Sequence, residues 1–349
     1  MKQKREYLVN RRLFLKQTSI GVAGLAIAGS SLRLLAADNA EFKMPNGFPF
    51  FKSNDAFSPV RYRPIATRVT GLKKNTAPLD GIWLIDPDTD QDVNMMPSSD
   101  ASWGSVNVPG QWQQQGLNIP WDKIAALERM FIIPSTWDGY RIFLRFDAIH
   151  GGTHCWLNDK PLGYSENLFT PVEWEITDAA KVGQPNRLNL KMKVDTASER
   201  LSYMGSDTRN LGGIDRSVKI FALPKLHISS LHLNAGLDRS YENGELKITL
   251  GFDNPDPTIA DGFSVAVQLF DSNGKRVGHS NPIIILDPLK SGLNNVIIES
   301  QLINPLKWNA EQPNLYKLVL ILKKDRHALE QIEYKIGFGP LRPGIASFM

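Results

Sequence analysis

Alternation of apolar and polar residues with a period of two dominates most of the chain. The stretch YRIFLRF places Tyr140, Ile142, Leu144 and Phe146 on one face and Arg141 and Arg145 on the other. A β-strand turns successive side chains to opposite faces, so this spacing predicts a half-buried strand. The stretch RLNLKMKVD alternates in the same way, and no segment keeps a helical period for more than one or two turns. The pattern predicts an all-β protein.

Turn-forming residues divide these stretches into short strands. In HCWLNDKPLGY, the residues Asn158, Asp159 and Lys160 separate two apolar runs, which predicts a β-hairpin. Ser272, Asn273 and Gly274 predict a second hairpin later in the chain. About seven short strands follow Pro224 within roughly 115 residues, the size and rhythm of an immunoglobulin-like sandwich. The longer set of strands before Pro224 fits a jelly-roll-type sandwich.

The pattern therefore predicts a specific domain order. Residues 79–223 form the jelly-roll sandwich and residues 224–338 form the immunoglobulin-like sandwich. Residues 38–78 are rich in Pro, Phe and Asn without sustained periodicity and are predicted to be an irregular lead-in, while residues 339–349 form a tail.

The first 37 residues have the features of an export signal. Arg11 and Arg12 precede Phe14, Leu15 and Lys16, and a mildly apolar run then ends in small residues near Ala37. This arrangement predicts a twin-arginine signal peptide over residues 1–37 and a periplasmic or extracellular location. The alternative is a membrane anchor, but glycines, serines and Arg33 interrupt the apolar run well short of the roughly 20 residues that a spanning helix needs.

Charge and cysteine usage exclude several classes of function. The 349-residue chain carries a formal net charge of +4, yet the predicted signal holds seven basic residues against Glu6 alone. The remainder is therefore slightly acidic, which gives no support for a nucleic-acid partner. Cys155 is the only cysteine, so an internal disulfide is impossible, and its apolar surroundings predict a buried thiol. The spacing of the six histidines predicts no metal site, and we expect no cofactor.

Four stretches, taken in order, resemble one family. VNVPGQWQQQG, MFIIPSTWDGYRIFLRFDAIHGGTHCWLNDKPLGYSENLFTPVEWEIT, NLGGIDRSV and NPLKWNAEQPNLYKLVL resemble the amino-terminal half of glycoside hydrolase family 2, which includes β-galactosidases and β-glucuronidases. The resemblance covers roughly residues 79–338. It implies a galactose-binding-like jelly-roll domain, then an immunoglobulin-like domain, and in the family a catalytic (β/α)₈ barrel after them.

The resemblance also implies a set of sugar-recognition residues. Asp207 matches an aspartate that reaches toward the sugar in the family, and Asn210 matches an asparagine of glucuronidase-like members. Arg209 and Trp121 are further substrate-binding candidates. Sugar rings stack on aromatic faces, but the crowd of tryptophans in the first domain is better explained by a large aromatic core.

Three further residues are expected to shape this recognition loop. Gly212 and Gly213 would permit a backbone turn that a Cβ would obstruct. Arg216 would either hold the loop through a bidentate carboxylate contact or only shape the sandwich.

The family's hydrolytic carboxylates have no counterpart in the sequence. The family's acid/base lies in an Asn-Glu pair, and no Asn-Glu dipeptide occurs in these 349 residues. The sequence thus predicts the non-catalytic amino-terminal portion of a β-galactosidase-like hydrolase, truncated or split before its barrel. The alternative is a free-standing periplasmic carbohydrate-binding protein. The expected partners are a β-galactoside-like carbohydrate and a separate polypeptide that carries a catalytic barrel.

Overall fold

Strands occupy the alternating stretches of the sequence. A computed structural model of the chain describes residues 63–89, 102–120, 122–166, 170–196, 212–256, 258, 261–278 and 283–339, all within a compact unit that spans Phe50–Met349. These residues form twenty-one strands and two single turns of 3₁₀ helix, Gln113–Gln115 and Ser135–Trp137, and contain no α-helix. Nothing in these ranges has the length and apolar character of a membrane-crossing helix.

Two sheets and a short strand pair build the first sandwich. Its strands are β2 (Thr76–Pro78), β3 (Gly81–Asp86), β4 (Gly104–Val108), β5 (Gly110–Gln111), β6 (Ile124–Ile132), β7 (Arg141–Phe146), β8 (Gly152–Leu157), β9 (Lys160–Ser165), β10 (Val172–Glu175), β11 (Pro185–Lys193), β12 (Gly213–Ile214) and β13 (Val218–Leu223). The six-stranded sheet has the order β4-β3-β6-β11-β8-β9, and the four-stranded sheet has the order β10-β7-β13-β2. Strands β5 and β12 pair with each other.

The second sandwich follows directly after β13. Its strands are β14 (His227–Leu237), β15 (Gly244–Asn254), β16 (Phe263–Phe270), β17 (Arg276–Val277), β18 (Ile283–Ile285), β19 (Gly292–Leu302), β20 (Tyr316–Lys324) and β21 (His327–Ile336). One sheet has the order β14-β15-β19, and the other has the order β21-β20-β16-β17 with β18 also on β16. The short strand β1 (Arg68–Val69) extends this second sheet by pairing with β21.

The predicted fold class, all-β with two successive sandwiches, is confirmed. Two short strands of the predicted lead-in join the sheets of both sandwiches. β1 pairs with β21 of the second sandwich, and β2 pairs with β13 of the first. The chain before the first sandwich therefore contacts both sandwiches.

Aromatic side chains fill the core of the first sandwich. Trp83, Trp112, Trp137, Trp156 and Trp174 are buried, as the sequence predicted for most of the tryptophans. Trp83 and Trp174 each meet Phe146 edge to face. Cys155 is also buried in this core, and burial raises the pKa of its thiol well above the usual value. A protonated thiol in such a place is inert.

The predicted hairpin between β8 and β9 turns at Asn158 and Asp159. Both residues have positive φ angles, 49° and 69°, as a type I′ turn requires. Asn158 donates to the carbonyl of Ala179 (2.8 Å) and to Oδ1 of Asn186 (2.7 Å). The Asp159 carboxylate accepts from Arg187 at 2.6 Å. These contacts offset the strain that a non-glycine residue carries in this region.

Strand β7 is buried on both faces, so the prediction of a half-buried strand was wrong. Its apolar face lies in the core of the first sandwich, and Arg145 on the opposite face is buried as well. The arginine face is covered because acidic residues from β10 and β15 converge on it, together with Arg63. Period-two spacing identifies a strand but cannot show that a charged face will be paired.

The charged residues where the two sandwiches meet, here called the junction, form two groups of ion pairs. Glu173 of β10 accepts hydrogen bonds from Arg145 and Arg63, the second at 3.2 Å. Arg141 bonds Glu175 at 2.6 Å and Asp253 of β15 at 3.1 Å. Asp253 belongs to the second sandwich, and the four other strand residues, Arg141, Arg145, Glu173 and Glu175, belong to the first. The ion pairs therefore connect the two sandwiches.

The pKa values of Glu173 and Glu175 are shifted in opposite directions. Burial raises the pKa of the Glu173 carboxyl, even against the charges and hydrogen bonds of Arg145 and Arg63. Burial also acts to raise the pKa of Glu175, but the hydrogen bond and charge of Arg141 outweigh it, so that pKa is lowered. The difference follows from exposure, because the Glu173 side chain is fully buried and that of Glu175 reaches solvent.

Phe143 lies at the centre of the junction. Arg63 stands 4.5 Å and Arg141 5.5 Å from the centroid of its ring, both within range of cation–π attraction. Its ring also stacks on Phe221 and meets His227 edge to face. Phe143 thus packs against two of the guanidinium groups that form the ion pairs.

Two further titratable groups are buried where the second sandwich begins. Burial, followed by the charges of Arg141 and Arg63, lowers the pKa of His227 to about 3, so this ring is neutral. Glu330 accepts the backbone N–H of Ile228 at 2.6 Å, and burial raises its pKa to about 8. That N–H lies at an irregularity in the pairing of β14 with β15, between Ile228 and Ser230. Glu330 therefore satisfies a donor of an irregular strand.

Replacing Glu330 by glutamine is expected to stabilise the protein increasingly as pH rises. The pKa of Glu330 is about 8 in the folded protein against an ordinary value of 4.5, so ionisation destabilises the folded state between these pH values. Glutamine has no charge and keeps an acceptor for Ile228. The gain of Glu330→Gln over the wild type should grow by up to about 3 kcal/mol between pH 5.5 and pH 8. Urea unfolding at several pH values measures this difference.

The matched control for this measurement is Glu333→Gln. Glu333 lies on the same strand, and its side chain reaches solvent. The difference in free energy of unfolding between Glu333→Gln and the wild type should stay nearly constant over the same pH range. A constant difference for Glu330→Gln would contradict the assignment of a raised pKa to Glu330.

Candidate functional site

The expected recognition loop leads into β12. Asp207, Arg209, Asn210 and Trp121 lie outside the described residues. Gly212, Gly213 and Arg216 are described, so the structure shows the base from which the loop emerges. This base consists of Gly212–Ser217 and the residues that hold it.

Backbone hydrogen bonds fix both glycines on two sides. β12 pairs with β5, with Gly213 opposite Gln111. Trp112 donates its backbone N–H to the carbonyl of Gly212 at 3.0 Å, and His150 donates to the carbonyl of Gly213 at 2.9 Å. The side-chain oxygen of Gln113 accepts the N–H of Gly212 at 3.1 Å. The base is thus held by the segment after β5 and by the segment between β7 and β8.

Neither glycine position has room for a side chain. A Cβ on Gly212 would lie 1.9 Å from Cζ2 of the Trp112 ring and 2.7 Å from Cγ2 of Val194. A Cβ on Gly213 would lie 2.5 Å from the carbonyl oxygen of Gly110, and φ at Gly213 is +134°. Only glycine combines that backbone angle with so close an approach of another strand.

His150 and Asp215 face each other beside the glycines. Nδ1 of His150 lies 3.6 Å from Oδ2 of Asp215. His150 is buried, and the Asp215 side chain is partly exposed. The distance is that of an ion pair when the imidazole is protonated and exceeds that of a direct hydrogen bond.

Three buried polar atoms around the base have no hydrogen-bond partner in the described part of the chain. They are Nε1 of Trp112, Nε2 of Gln113 and Oδ1 of Asp215. Buried polar atoms are nearly always satisfied, by protein, water or a ligand. These three atoms comprise two donors and one acceptor, all shielded from solvent.

Comparisons with known proteins agree with this architecture. The model of the family "Glycosyl hydrolases family 2" matches residues 226–338. A β-galactosidase of Priestia megaterium is 28% identical over 265 residues, which cover 68% of this chain and 25% of that protein. A β-galactosidase of Halalkalibacterium halodurans is 27% identical over 260 residues, or 68% of this chain and 24% of that protein. The second sandwich therefore matches the model of glycosyl hydrolase family 2, and the chain is similar in sequence to β-galactosidases.

A solved structure shows the same fold as this chain. β-Glucuronidase 2 of Bacteroides uniformis superimposes with a TM-score of 0.65 at 20% sequence identity, over 75% of this chain and 32% of that one. At this identity the likeness concerns the fold. The chain spans about a quarter of the length of the curated relatives it matches.

Arg216 differs from the other residues of the base. Its side chain is exposed, and it contacts no carboxylate among the described residues. The end of the base is instead fixed by two aspartates. Asp80 accepts the N–H of Val218 at 2.8 Å, and Asp147 donates its backbone N–H to Ser217 at 3.0 Å. The side chain of Asp147 also pairs with Lys219 at 2.6 Å.

The sequence did not point to several residues that shape the site. Gln113, His150, Asp215, Asp80 and Asp147 received no role from their spacing. Gln113 lies within the stretch GQWQQQG, which carries part of the family resemblance, and that was the only signal available for it. No cluster of three or more His, Cys, Asp or Glu side chains that could bind a metal occurs in the ranges described above.

Replacing Gly212 by alanine is expected to destabilise the protein. The new methyl group would overlap the Trp112 ring, which is buried and cannot move without disturbing the core. Overpacking of this kind costs about 1–3 kcal/mol. Urea unfolding should show this loss, and the indole N–H resonance of Trp112 should shift in an NMR spectrum.

Gly104→Ala is the matched control for this substitution. A Cβ at Gly104 would lie 3.7 Å from its nearest neighbour, an ordinary contact, and Gly104 is also in a strand. This variant should unfold close to the wild-type midpoint. Equal midpoints for the two variants would show that the Trp112 contact does not restrict position 212.

Proposed function

We propose that this chain is the sugar-recognition portion of an exported β-galactosidase-like hydrolase of family 2. In this proposal it contributes recognition residues and leaves bond cleavage to a (β/α)₈ barrel, carried by a separate polypeptide or by a longer form of the protein. The names of two relatives support the substrate class, because the β-galactosidases of Priestia megaterium and Halalkalibacterium halodurans each align with 68% of this chain. The closest alternative is a free-standing carbohydrate-binding protein.

The observation that carries the proposal is the rigid base under the candidate recognition residues. Asp207 and Asn210 lie two to five positions before Gly212, whose backbone is fixed by Trp112 and Gln113. A fixed base lowers the entropy cost of binding a ligand next to it.

The unsatisfied donors and acceptor at the base are also suited to sugars. Sugar hydroxyls donate and accept hydrogen bonds, and the indole N–H of Trp112, the amide of Gln113 and Oδ1 of Asp215 offer both kinds of partner. A neutral sugar needs directional hydrogen bonds rather than a strong charge. Of these groups, Asp215 lies eight positions after Asp207 in the sequence.

The acidic residues of the sandwich junction have structural roles in this proposal. Retaining glycosidases need two carboxylates about 5–5.5 Å apart on either side of the scissile bond. Glu173, Glu175 and Asp253 are each bonded to an arginine. Carboxylates held in this way serve the contact between the sandwiches, so bond cleavage is assigned to another part of the enzyme.

The proposal predicts weak sugar binding that depends on Asp207. Each hydrogen bond to a sugar replaces one to water, so its net contribution is about 0.5–1.5 kcal/mol. Without a barrel to complete the pocket, methyl β-galactoside should bind with a Kd no tighter than about 1 mM, a binding free energy of about −4 kcal/mol. Isothermal titration calorimetry measures this, and Asp207→Ala should weaken it further.

Asp138→Ala is the control, because Asp138 is an exposed carboxylate in the turn before β7. It should leave binding unchanged. Micromolar binding that Asp207→Ala abolishes would favour the free-standing binding protein. Hydrolysis of an aryl β-galactoside that survives purification, and disappears when a carboxylate of this chain is mutated, would overturn the assignment of catalysis to a barrel.

The export part of the proposal rests on residues 1–37. Fused to residues 1–40, a folded reporter should leave the cytoplasm, because the arginine pair and the weakly apolar run favour the pathway for folded proteins. Substituting lysine for both Arg11 and Arg12 should keep the reporter inside, as cell fractionation would show. Undiminished export of the lysine variant would rule out a twin-arginine signal.

A further inference from the structure

Strand β19 forms one edge of the three-stranded sheet in the second sandwich. It pairs with β15 over eleven consecutive residues, Gly292–Leu302, without a shift in register. No strand in the described ranges pairs with its other side. A straight, open row of backbone N–H and C=O groups therefore runs along this edge.

This edge lacks the features that normally prevent pairing with another chain. Proteins protect sheet edges with prolines, lysines, bulges or short strands. β19 is long and contains no proline, lysine or arginine, and Leu293 and Ile297 are 62% and 58% exposed. The opposite edge strand, β14, has an irregular register between Ile228 and Ser230. Only β19 offers a regular template.

We propose that β19 pairs antiparallel with β19 of a second copy of this chain. The two three-stranded sheets then join into one continuous six-stranded sheet across a two-fold axis. Such an interface is isologous, so the strand must be complementary to itself. The sequence of β19 meets this requirement.

The self-complementarity is clearest when the axis passes through Ile297. Ile297 then lies opposite the same residue of the second copy, and Glu299 lies opposite Asn295. Directly opposed apolar side chains stabilise a sheet, whereas opposed like charges destabilise it. Glu299 is the only charged residue of β19, and this register keeps the two copies of it apart.

The charge of Glu299 is already compensated within its own sheet. Lys247 on β15 lies opposite Glu299, and their charged atoms are 2.9 Å apart. The approach of a second sheet therefore brings no unpaired charge to the interface. Within its own sheet, Ile297 of β19 lies opposite Thr249 of β15. The other side of Ile297 faces the proposed axis.

The first test compares oligomeric state with and without a charge at Ile297. The wild type should be dimeric at tens of micromolar in sedimentation velocity, and Ile297→Lys should be monomeric because it places two like charges at the axis. Ile285→Lys is the matched control, since Ile285 is 82% exposed on β18 and should remain dimeric. A monomeric wild type, or a dimeric Ile297→Lys, would overturn the proposal.

The second test uses disulfide formation to locate the axis. Cys155 is the only native cysteine and is buried, so a new surface cysteine reacts alone. Opposed residues of antiparallel strands have Cα atoms about 4.5–5.5 Å apart, within the range that a disulfide spans. Under mild oxidation Ile297→Cys should form a covalent dimer on a non-reducing gel, and Ile285→Cys should not. Equal cross-linking of both variants, or none from Ile297→Cys, would overturn the register.

Discussion

The burial of the charged face of β7 against the second sandwich depends on the pairing of Glu173 with Arg145 and Arg63. A carboxylate with no solvent exposure is strongly destabilising unless hydrogen-bonded cations surround it, and here two guanidinium groups do so. Removal of either side would leave a buried charge without compensation. The ion pair of Arg141 with Asp253 extends the same arrangement into the second sandwich. The two sandwiches therefore depend on each other for the burial of β7.

This junction also supports the candidate recognition loop. β13 follows the loop directly and pairs with β7, with Val218 opposite Phe146. The apolar side of β7 packs on Trp83 and Trp174, and its charged side faces the second sandwich. The loop base is therefore attached to a strand that is buried on both faces.

Local patterns predicted the strands, the Asn158–Asp159 hairpin and the aromatic core, because each depends on residues close together in sequence. The second buried face of β7 could not be predicted, because Arg63, Glu173 and Asp253 come from places far apart in the chain. The same limit applies to the loop base. Resemblance indicated Gly212 and Gly213, but the reason for them, the Trp112 ring and the Gly110 carbonyl, appears only in the structure.

The second sandwich has two sides with opposite character. Its junction side carries Asp253 and Glu330, each matched to a specific donor of the chain. Its β19 edge carries a regular backbone row and two exposed apolar side chains, with no matching group in the described residues. Buried charges require a fixed partner, whereas an open strand accepts any strand of compatible register. The junction therefore fixes how the two sandwiches pack together, and in the proposed dimer the β19 edge determines how that arrangement is repeated.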